Sequence, residues 1–452
     1  MDLGVMALED IYLMSFILLT SWVILFFARV NFCFIHIMLA VLTLSFIGVF
    51  LYGYPNLRPS IVFGIGMNIF SLGVFSAKHI FLRSSKRINI PKLNISTFSQ
   101  KKEALVLLSF SIPVIIGASL LFVLGGIPLL SSEGNISRFT VSDGLGVPTR
   151  LLKFGLPFLL IISAVYWLGI NNPKKIFKTV FLILLSSIAI GFILLGNKGA
   201  FLVIVELLIA ILTTLIIQRR IKKKVFMIVS ALAALGIYIS ILITKQILNV
   251  ETGEATQIIL ERMTAIAGMG FYEIVEYYTP LQGFQLGLGQ WNSFLDFLST
   301  LRLYPRGEVT FLGLELAHAV LGVPLGVHAF IFPITITPFG DFYYDFGVVG
   351  VIFGAFILGF LSFYLYYKTL LTVKPIKKAF LIFLQFELMS YSSKGSLFGL
   401  INNEILSVML IMLMYIIYRN IVLEILTSVG KKNYKTNNIK YYSARNFYID
   451  SD

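Results

Sequence analysis

The chain is poor in what a soluble or secreted enzyme is usually built from. One cysteine, Cys33, occurs in 452 residues, so neither a disulfide framework nor a thiolate metal site can form within one chain. Charged residues make up only 13%, against about 25% in soluble domains. With 58% hydrophobic residues, there is too little charge to cover a soluble surface, and the class is integral membrane protein. Of four histidines, His36 and His79 stand alone in or at the end of apolar runs, where packing or an interfacial place is the expectation. No His-x-x-x-His and no nucleophile elbow occurs, which removes the common zinc and serine hydrolase readings. No internal repeat supports a transporter built from inverted halves. No cleavable signal is expected, because the first apolar run is too long for one.

Long hydrophobic runs fill the space these absences leave. A spanning helix needs roughly 20 apolar residues. Eleven runs meet that need, at about 11–28, 32–53, 60–82, 104–127, 150–169, 178–196, 199–217, 225–244, 343–367, 377–392 and 404–423. The expected fold is an all-α polytopic membrane protein forming a single integral membrane domain over 1–452, with one large extracytoplasmic loop that contains short amphipathic helices. The net charge of +14 would fit nucleic acid, but the excess sits in short connectors between apolar runs, so no nucleic-acid partner is expected. Alternate connectors, with the tail, hold 25 of the 36 Lys and Arg residues, which places that side in the cytoplasm. The N-terminus then lies outside and the C-terminus inside. Residues 83–103 read as a cytoplasmic linker and 424–452 as a cytoplasmic tail.

The segment 245–340 is the large outer loop. It carries Lys245, Arg262, Arg302, Arg306, Glu308, Glu315, His318 and His328. Apolar residues recur at helical spacing over Ile258–Tyr278 and again over Trp291–Leu303, so the expectation is a lid of short helices on the outer leaflet. Glu315 and His318 are three apart and share a face if helical. Cations on the outer side run against the orientation bias. Arg138 and Lys198 add two more in other outer connections, Lys198 beside a helix start. Arg suits a diphosphate, because its fork makes paired contacts with phosphate oxygens. The competing reading pairs these cations with nine nearby acidic residues. Asp341 and Asp345 close the segment where the next span begins. Two carboxylates without a third ligand make a weak metal site, and none is expected. Glu206 is a lone carboxylate inside a span, costly by about 2.5 kcal/mol or more unless paired or protonated.

Four stretches together carry a resemblance. They are Gly126-Ile-Pro-Leu-Leu with Arg138 downstream, Gly196-Asn-Lys-Gly199, Tyr304-Pro-Arg306, and Gly340-Asp-Phe-Tyr-Tyr-Asp-Phe-Gly347-Val-Val-Gly350. In these, and in its many spans with one large outer loop late in the sequence, the chain resembles the oligosaccharide repeat-unit polymerases, the O-antigen polymerase family of surface-polysaccharide assembly. Relatives often carry Arg at the short turn where this chain has Lys198, which keeps the charge but not the fork.

The resemblance implies a glycosyltransferase, a polysaccharide polymerase working on the outer face of the membrane. Its donor would be a polyprenyl-diphosphate-linked oligosaccharide, and membrane lipids, a flippase and a chain-length regulator would be its partners. No cofactor is implied, and an inverting, metal-independent displacement is the simplest chemistry. On this reading Arg306, Arg138, Arg262, Lys198 and Arg302 hold the diphosphate. His318, His328, Glu315 and Asp341, in that order, are the candidates for the catalytic base. An O-antigen-type ligase and a lipid-linked oligosaccharide flippase or transporter are the alternatives, separable by whether single repeat units or lipid-linked polymer accumulates when the protein is lost.

Overall fold

A computed structural model describes residues 7–30, 33–82, 97–131, 141, 145–170, 172–196, 200–215, 222–248, 250–261, 267–288, 291–292, 294–295, 298, 303–305, 312–321, 334–395 and 400–446. Among them there are helices and turns and no β-strand. Each of the eleven expected spans falls on a helix. They are α1 (Leu8–Phe27), α2 (Phe34–Gly53), α3 (Arg58–Leu82), α4 (Thr97–Gly125), α5 (Gly146–Gly169), α6 (Lys175–Leu194), α7 (Ala200–Leu215) and α8 (Lys222–Leu248) in the first part of the chain. Within the segment after α8 come α9 (Thr252–Glu261), α10 (Ala267–Glu273), a π-helical turn (Ile274–Tyr278), α11 (Thr279–Gln282) and α12 (Leu312–Leu321). The last three long helices are α13 (Thr337–Leu371), α14 (Pro375–Lys394) and α15 (Leu406–Asn446). Eight of the described helices are long and apolar enough to cross a membrane; α7, with 16 residues, and α14, with Lys377, Lys378 and Glu387 along its length, fall short of that standard.

The case of α14 has a physical reason. It is an inner helix, packed against α2, α5, α7 and α13, and it carries polar side chains for its neighbours. Buried Gln385 donates to Thr369 of α13 at 2.7 Å and accepts from Thr214 of α7 at 3.0 Å. Inside a membrane bundle such bonds hold helices together where the hydrophobic effect cannot. The outward faces of α1, α6 and α13 instead expose apolar residues such as Phe16, Ile190 and Phe353, as surfaces meeting lipid tails must.

The lone histidines differ: His36 is half-buried, and His79 is exposed at the end of α3. His36 Nδ1 accepts the Cys33 backbone N–H at the start of α2, and the His79 ring lies tilted 4.3 Å from that of Phe75. At their far ends, α4 begins at Thr97 rather than near 104, and α15 runs on to Asn446.

The two ends of the bundle differ in chemistry. At one end lie the α2–α3 connection, α10–α12 and the start of α13, with Arg58, Glu273, Glu276 and Glu315. At the other, Lys174 donates its backbone N–H to Gln100, Lys102 donates to Thr427, and Arg419 pairs with Glu103. Lys374 and Lys377 line a cavity of about 540 Å³ at that second end, beside Arg419 and Tyr166.

Candidate active site

The site is assembled by α10, and the sequence of α10 explains how. Ala-Gly-Met-Gly-Phe-Tyr-Glu has almost no bulk on one side. A Cβ on Gly268 would sit 2.2 Å from the Val49 backbone nitrogen of α2, so only glycine allows that approach. The segment therefore does not lie over the bundle as a lid. It is a wedge inside it, with Phe271, Ile274 and Val275 fully buried. Phe63 of α3 meets Phe271 and Phe339 edge-on at 5.0 and 4.9 Å. This aromatic packing fixes the π-helical turn, which in turn aims Glu276, Tyr277 and Tyr278 at neighbouring elements.

The segment after α11 is tied to α13 by backbone. Gln285 and Leu286 donate to the carbonyls of Tyr344 and Asp345, and Gly287 donates to the Asp345 carboxylate at 3.1 Å. Asp345 is 1% exposed, and this bond shows it acting as a clasp for the chain beside it. Gly347 breaks the helical geometry of α13 with φ of +63°, and the Phe284 ring fills the space where its side chain would be.

Three of the sequence-predicted catalytic residues are described. Glu315 and His318 share one face of α12, as their spacing requires. Glu315 Oε2 accepts the hydroxyls of Tyr278 at 2.9 Å and Tyr344 at 3.3 Å, so the carboxylate joins the π-helical turn, α12 and α13. It is partly accessible, whereas His318 is 7% and Asp341 5% exposed. The structure thus brings Glu315, His318 and the Asp341 helix to one end of the bundle. His328, Arg138, Lys198, Arg262, Arg302 and Arg306 lie outside the described residues. Lys245 is exposed at the end of α8 and donates to Thr252, and Glu206 is partly buried on α7.

Sequence reading passed over two groups here. Arg58 opens α3, with its Nη1 3.9 Å from Glu276 and its Nη2 3.5 Å from the Tyr343 hydroxyl. Tyr52, Tyr272, Tyr277 and Tyr278 border a cleft of about 580 Å³ that also touches Glu273, Gln282 and the exposed side of α12. The signal was in the chain: Phe271-Tyr-Glu-Ile-Val-Glu-Tyr-Tyr278 has the same acid-aromatic composition as the Gly340–Gly347 stretch. Burial first, and the Glu315 charge second, push the Tyr278 hydroxyl up to about 12, so it stays a donor at neutral pH. Among the described residues no three His, Cys, Asp or Glu side chains converge as metal ligands.

A polytopic bundle of apolar helices defines the class, an integral all-α membrane protein, and its candidate site is a carboxylate held by two tyrosines beside an aromatic cleft. A family model of O-antigen polymerases matches residues 30–380, and the chain belongs to that family. Its activity is the polymerisation of repeat units into O-antigen, a glycosyl-transfer reaction on a lipid-linked oligosaccharide. No curated protein and no solved structure matches the chain significantly.

Proposed function

We propose that the chain transfers a growing glycan from a polyprenyl diphosphate to the terminal sugar of a new lipid-linked repeat unit, on the outer face of the membrane, with Glu315 as general base. The N-terminus lies outside and the C-terminus in the cytoplasm, in line with the basic residues gathered at the end opposite Glu315. One observation carries the choice of base. Glu315 is the described candidate that combines an accessible carboxylate with two fixed tyrosine donors.

The chemistry follows from the groups involved. The acceptor hydroxyl oxygen attacks the anomeric carbon and gives its proton to Glu315. The bond from that carbon to the diphosphate oxygen breaks, and the electron pair leaves with the diphosphate. A diphosphate is a stable anion, so no general acid is needed. Cations that meet it stabilise the charge as it develops. Arg306, Arg138, Arg262, Lys198 and Arg302 are the residues proposed for this, joined by Arg58. His318, one turn along α12, supports the base from within the bundle.

The test is chain extension by purified protein on a defined lipid-diphosphate repeat unit, with and without EDTA, read by mass spectrometry. Glu315→Gln should slow extension by roughly 10²–10⁴-fold, the usual contribution of a positioned base. Arg306→Ala should leave single repeats. A folded Glu315→Gln protein that extends chains at the wild-type rate overturns the assignment of the base, and long chains from Arg306→Ala overturn its diphosphate role.

A further inference from the structure

The cleft next to Glu315 is unsuited to a diphosphate and well suited to a sugar ring. Its wall is a run of tyrosines from three elements, α2, α10 and the π-helical turn. Tyr52 of α2 meets Tyr272 edge-on at 5.2 Å, and Tyr272 meets Tyr277 at 6.0 Å, tilted. Tyr277 is 55% exposed and leaves ring surface open to whatever enters. Tyrosine offers an apolar face together with a polar tip. A pyranose has the matching shape, with a face of C–H bonds and an edge of hydroxyls.

Polar groups are placed for that edge. Glu273 Oε1 accepts the Tyr52 hydroxyl at 2.9 Å, which fixes the carboxylate. An ionised carboxylate has about four acceptor sites, so Glu273 keeps capacity for sugar hydroxyls. Gln282 adds an amide that both donates and accepts. The volume of about 580 Å³ lies within the 300–1,000 Å³ range of small-ligand pockets.

The charge of the lining decides which sugars fit. Among the described lining residues there is a carboxylate and no Lys or Arg. Two of the lining elements hold two further carboxylates, Glu276 on the π-helical turn and Glu315 on α12. Arg58 offsets Glu276 at 3.9 Å but is not among the lining residues, so an anion entering here meets the Glu273 carboxylate with no cation among the described lining residues, and repulsion of this kind gives specificity. We infer that this cleft holds the terminal sugar of the acceptor repeat unit, and that it takes a neutral or N-acylated pyranose in preference to a uronic acid. The word acceptor rests on the function proposed above; the sugar class rests on the cleft alone.

The experiment measures binding of free sugars to the full chain in nanodiscs, by saturation-transfer NMR, with no transfer reaction required. The probes are methyl glucoside, the methyl glycoside of N-acetylglucosamine and methyl glucuronoside. The two neutral probes are expected to bind, and the glucuronoside about tenfold more weakly, the effect of one unfavourable contact of about 1.4 kcal/mol. Tyr277→Ala and Tyr272→Ala should each weaken the neutral probes by roughly two- to tenfold, as the loss of one aromatic contact does. Glu273→Gln should narrow the gap between neutral and acidic probes. Tyr277 is exposed enough for its variant to melt as the wild type does, which guards against a folding artefact. Equal binding of the glucuronoside, or unchanged neutral binding in both tyrosine variants, overturns the inference; in that case the tyrosines face lipid as an interfacial belt.

Chain extension separates this from the broader reading. Tyr277→Ala should raise KM for the acceptor and leave KM for the donor unchanged. If the wild type binds the neutral probes selectively yet extends no lipid-linked repeat unit, the polymerase chemistry falls and the sugar cleft stands.

Discussion

Tyr278 donates a hydrogen bond from its hydroxyl to Glu315 across 2.9 Å, and the two residues lie 37 positions apart. Tyr344 approaches the same carboxylate oxygen from a third element. A carboxylate held this way has a fixed direction, which is what a base needs in order to meet a sugar hydroxyl. Hydrogen bonds to an ionised group contribute more than neutral ones, about 1.5–3 kcal/mol each. Tyr278→Phe and Tyr344→Phe should each slow chain extension by roughly tenfold, a barrier increase of about 1.4 kcal/mol. The double variant should lose more than the product of the two, because the carboxylate is then free to turn. Turnover measured on the four proteins checks this, and an unchanged rate in the double variant would remove the tyrosines from the mechanism.

The same hydroxyl predicts a pH dependence of stability. Tyrosine ordinarily ionises near 10, and in the fold Tyr278 is pushed up to about 12 by burial and by Glu315. The folded-state value is raised, so the stabilisation is fully present below pH 10. It is lost as pH rises from 10 through about 12. The melting-temperature difference between wild type and Tyr278→Phe should therefore be constant below pH 9 and shrink across that window. A difference that shrinks on acidification instead would contradict the assignment.

Arg58 separates stability from function. Its side chain is 62% exposed and its contact with Glu276 is long, at 3.9 Å. Exposed pairs of this kind contribute about 0–1 kcal/mol. Arg58→Ala should melt close to the wild type. If Arg58 meets the diphosphate, the variant should still lose chain extension, and Arg58→Lys should recover only part of it, since the fork is gone. Full activity in Arg58→Ala would confine the residue to the surface.

The apolar runs were legible as helices because a run of about 20 apolar residues has few other fates, and eight of the described helices are long and apolar enough to cross a membrane. Glu315 and His318 on one face were legible because helical spacing is local. The wedge was not. Residues 267–273 read as part of a short helix in a lid on the outer leaflet, and only contact with Val49, more than two hundred positions earlier, shows why Gly268 is there. The tyrosine cleft was hidden for the same reason. Tyr52 belongs to a spanning helix and Tyr277 to a late segment, and neither has meaning until the fold brings them together. Arg58 was passed over because a lone Arg at a helix start resembles an ordinary membrane-surface anchor.

At the opposite end, Glu103 and Arg419 form a paired contact between α4 and α15, with Nε donating to Oε2 at 2.8 Å. The Glu103 side chain is only 4% exposed, so the loss of its partner strands a buried charge. Breaking such a pair costs about 3–5 kcal/mol, whereas replacing both partners by neutral groups of similar size is often close to neutral. Arg419→Met should therefore destabilise the protein strongly, and adding Glu103→Gln should restore much of the loss. Thermal unfolding in detergent checks the order. A double variant less stable than either single one would show that the pair contributes more than charge balance.

Gly347 closes the acid-aromatic stretch, and two constraints act on it at once. Its φ of +63° with ψ of −150° is a conformation that L side chains rarely adopt, and the Phe284 ring would lie 2.7 Å from a new Cβ. The backbone constraint alone costs about 1–3 kcal/mol. The ring contact adds to it, because Phe284 is held in turn by Tyr343 at 6.0 Å and by the backbone bonds from Gln285 and Leu286 to α13. Gly347→Ala should lower stability and release the clasp at Asp345, and chain extension should fall with it. Phe284→Ala in the same protein removes the steric part and leaves the backbone part. The double variant should therefore regain some stability over Gly347→Ala and remain below Phe284→Ala by about 1–3 kcal/mol. If the double variant matches Phe284→Ala, the kink at Gly347 is relaxed by the change and the positive φ is not required for the fold.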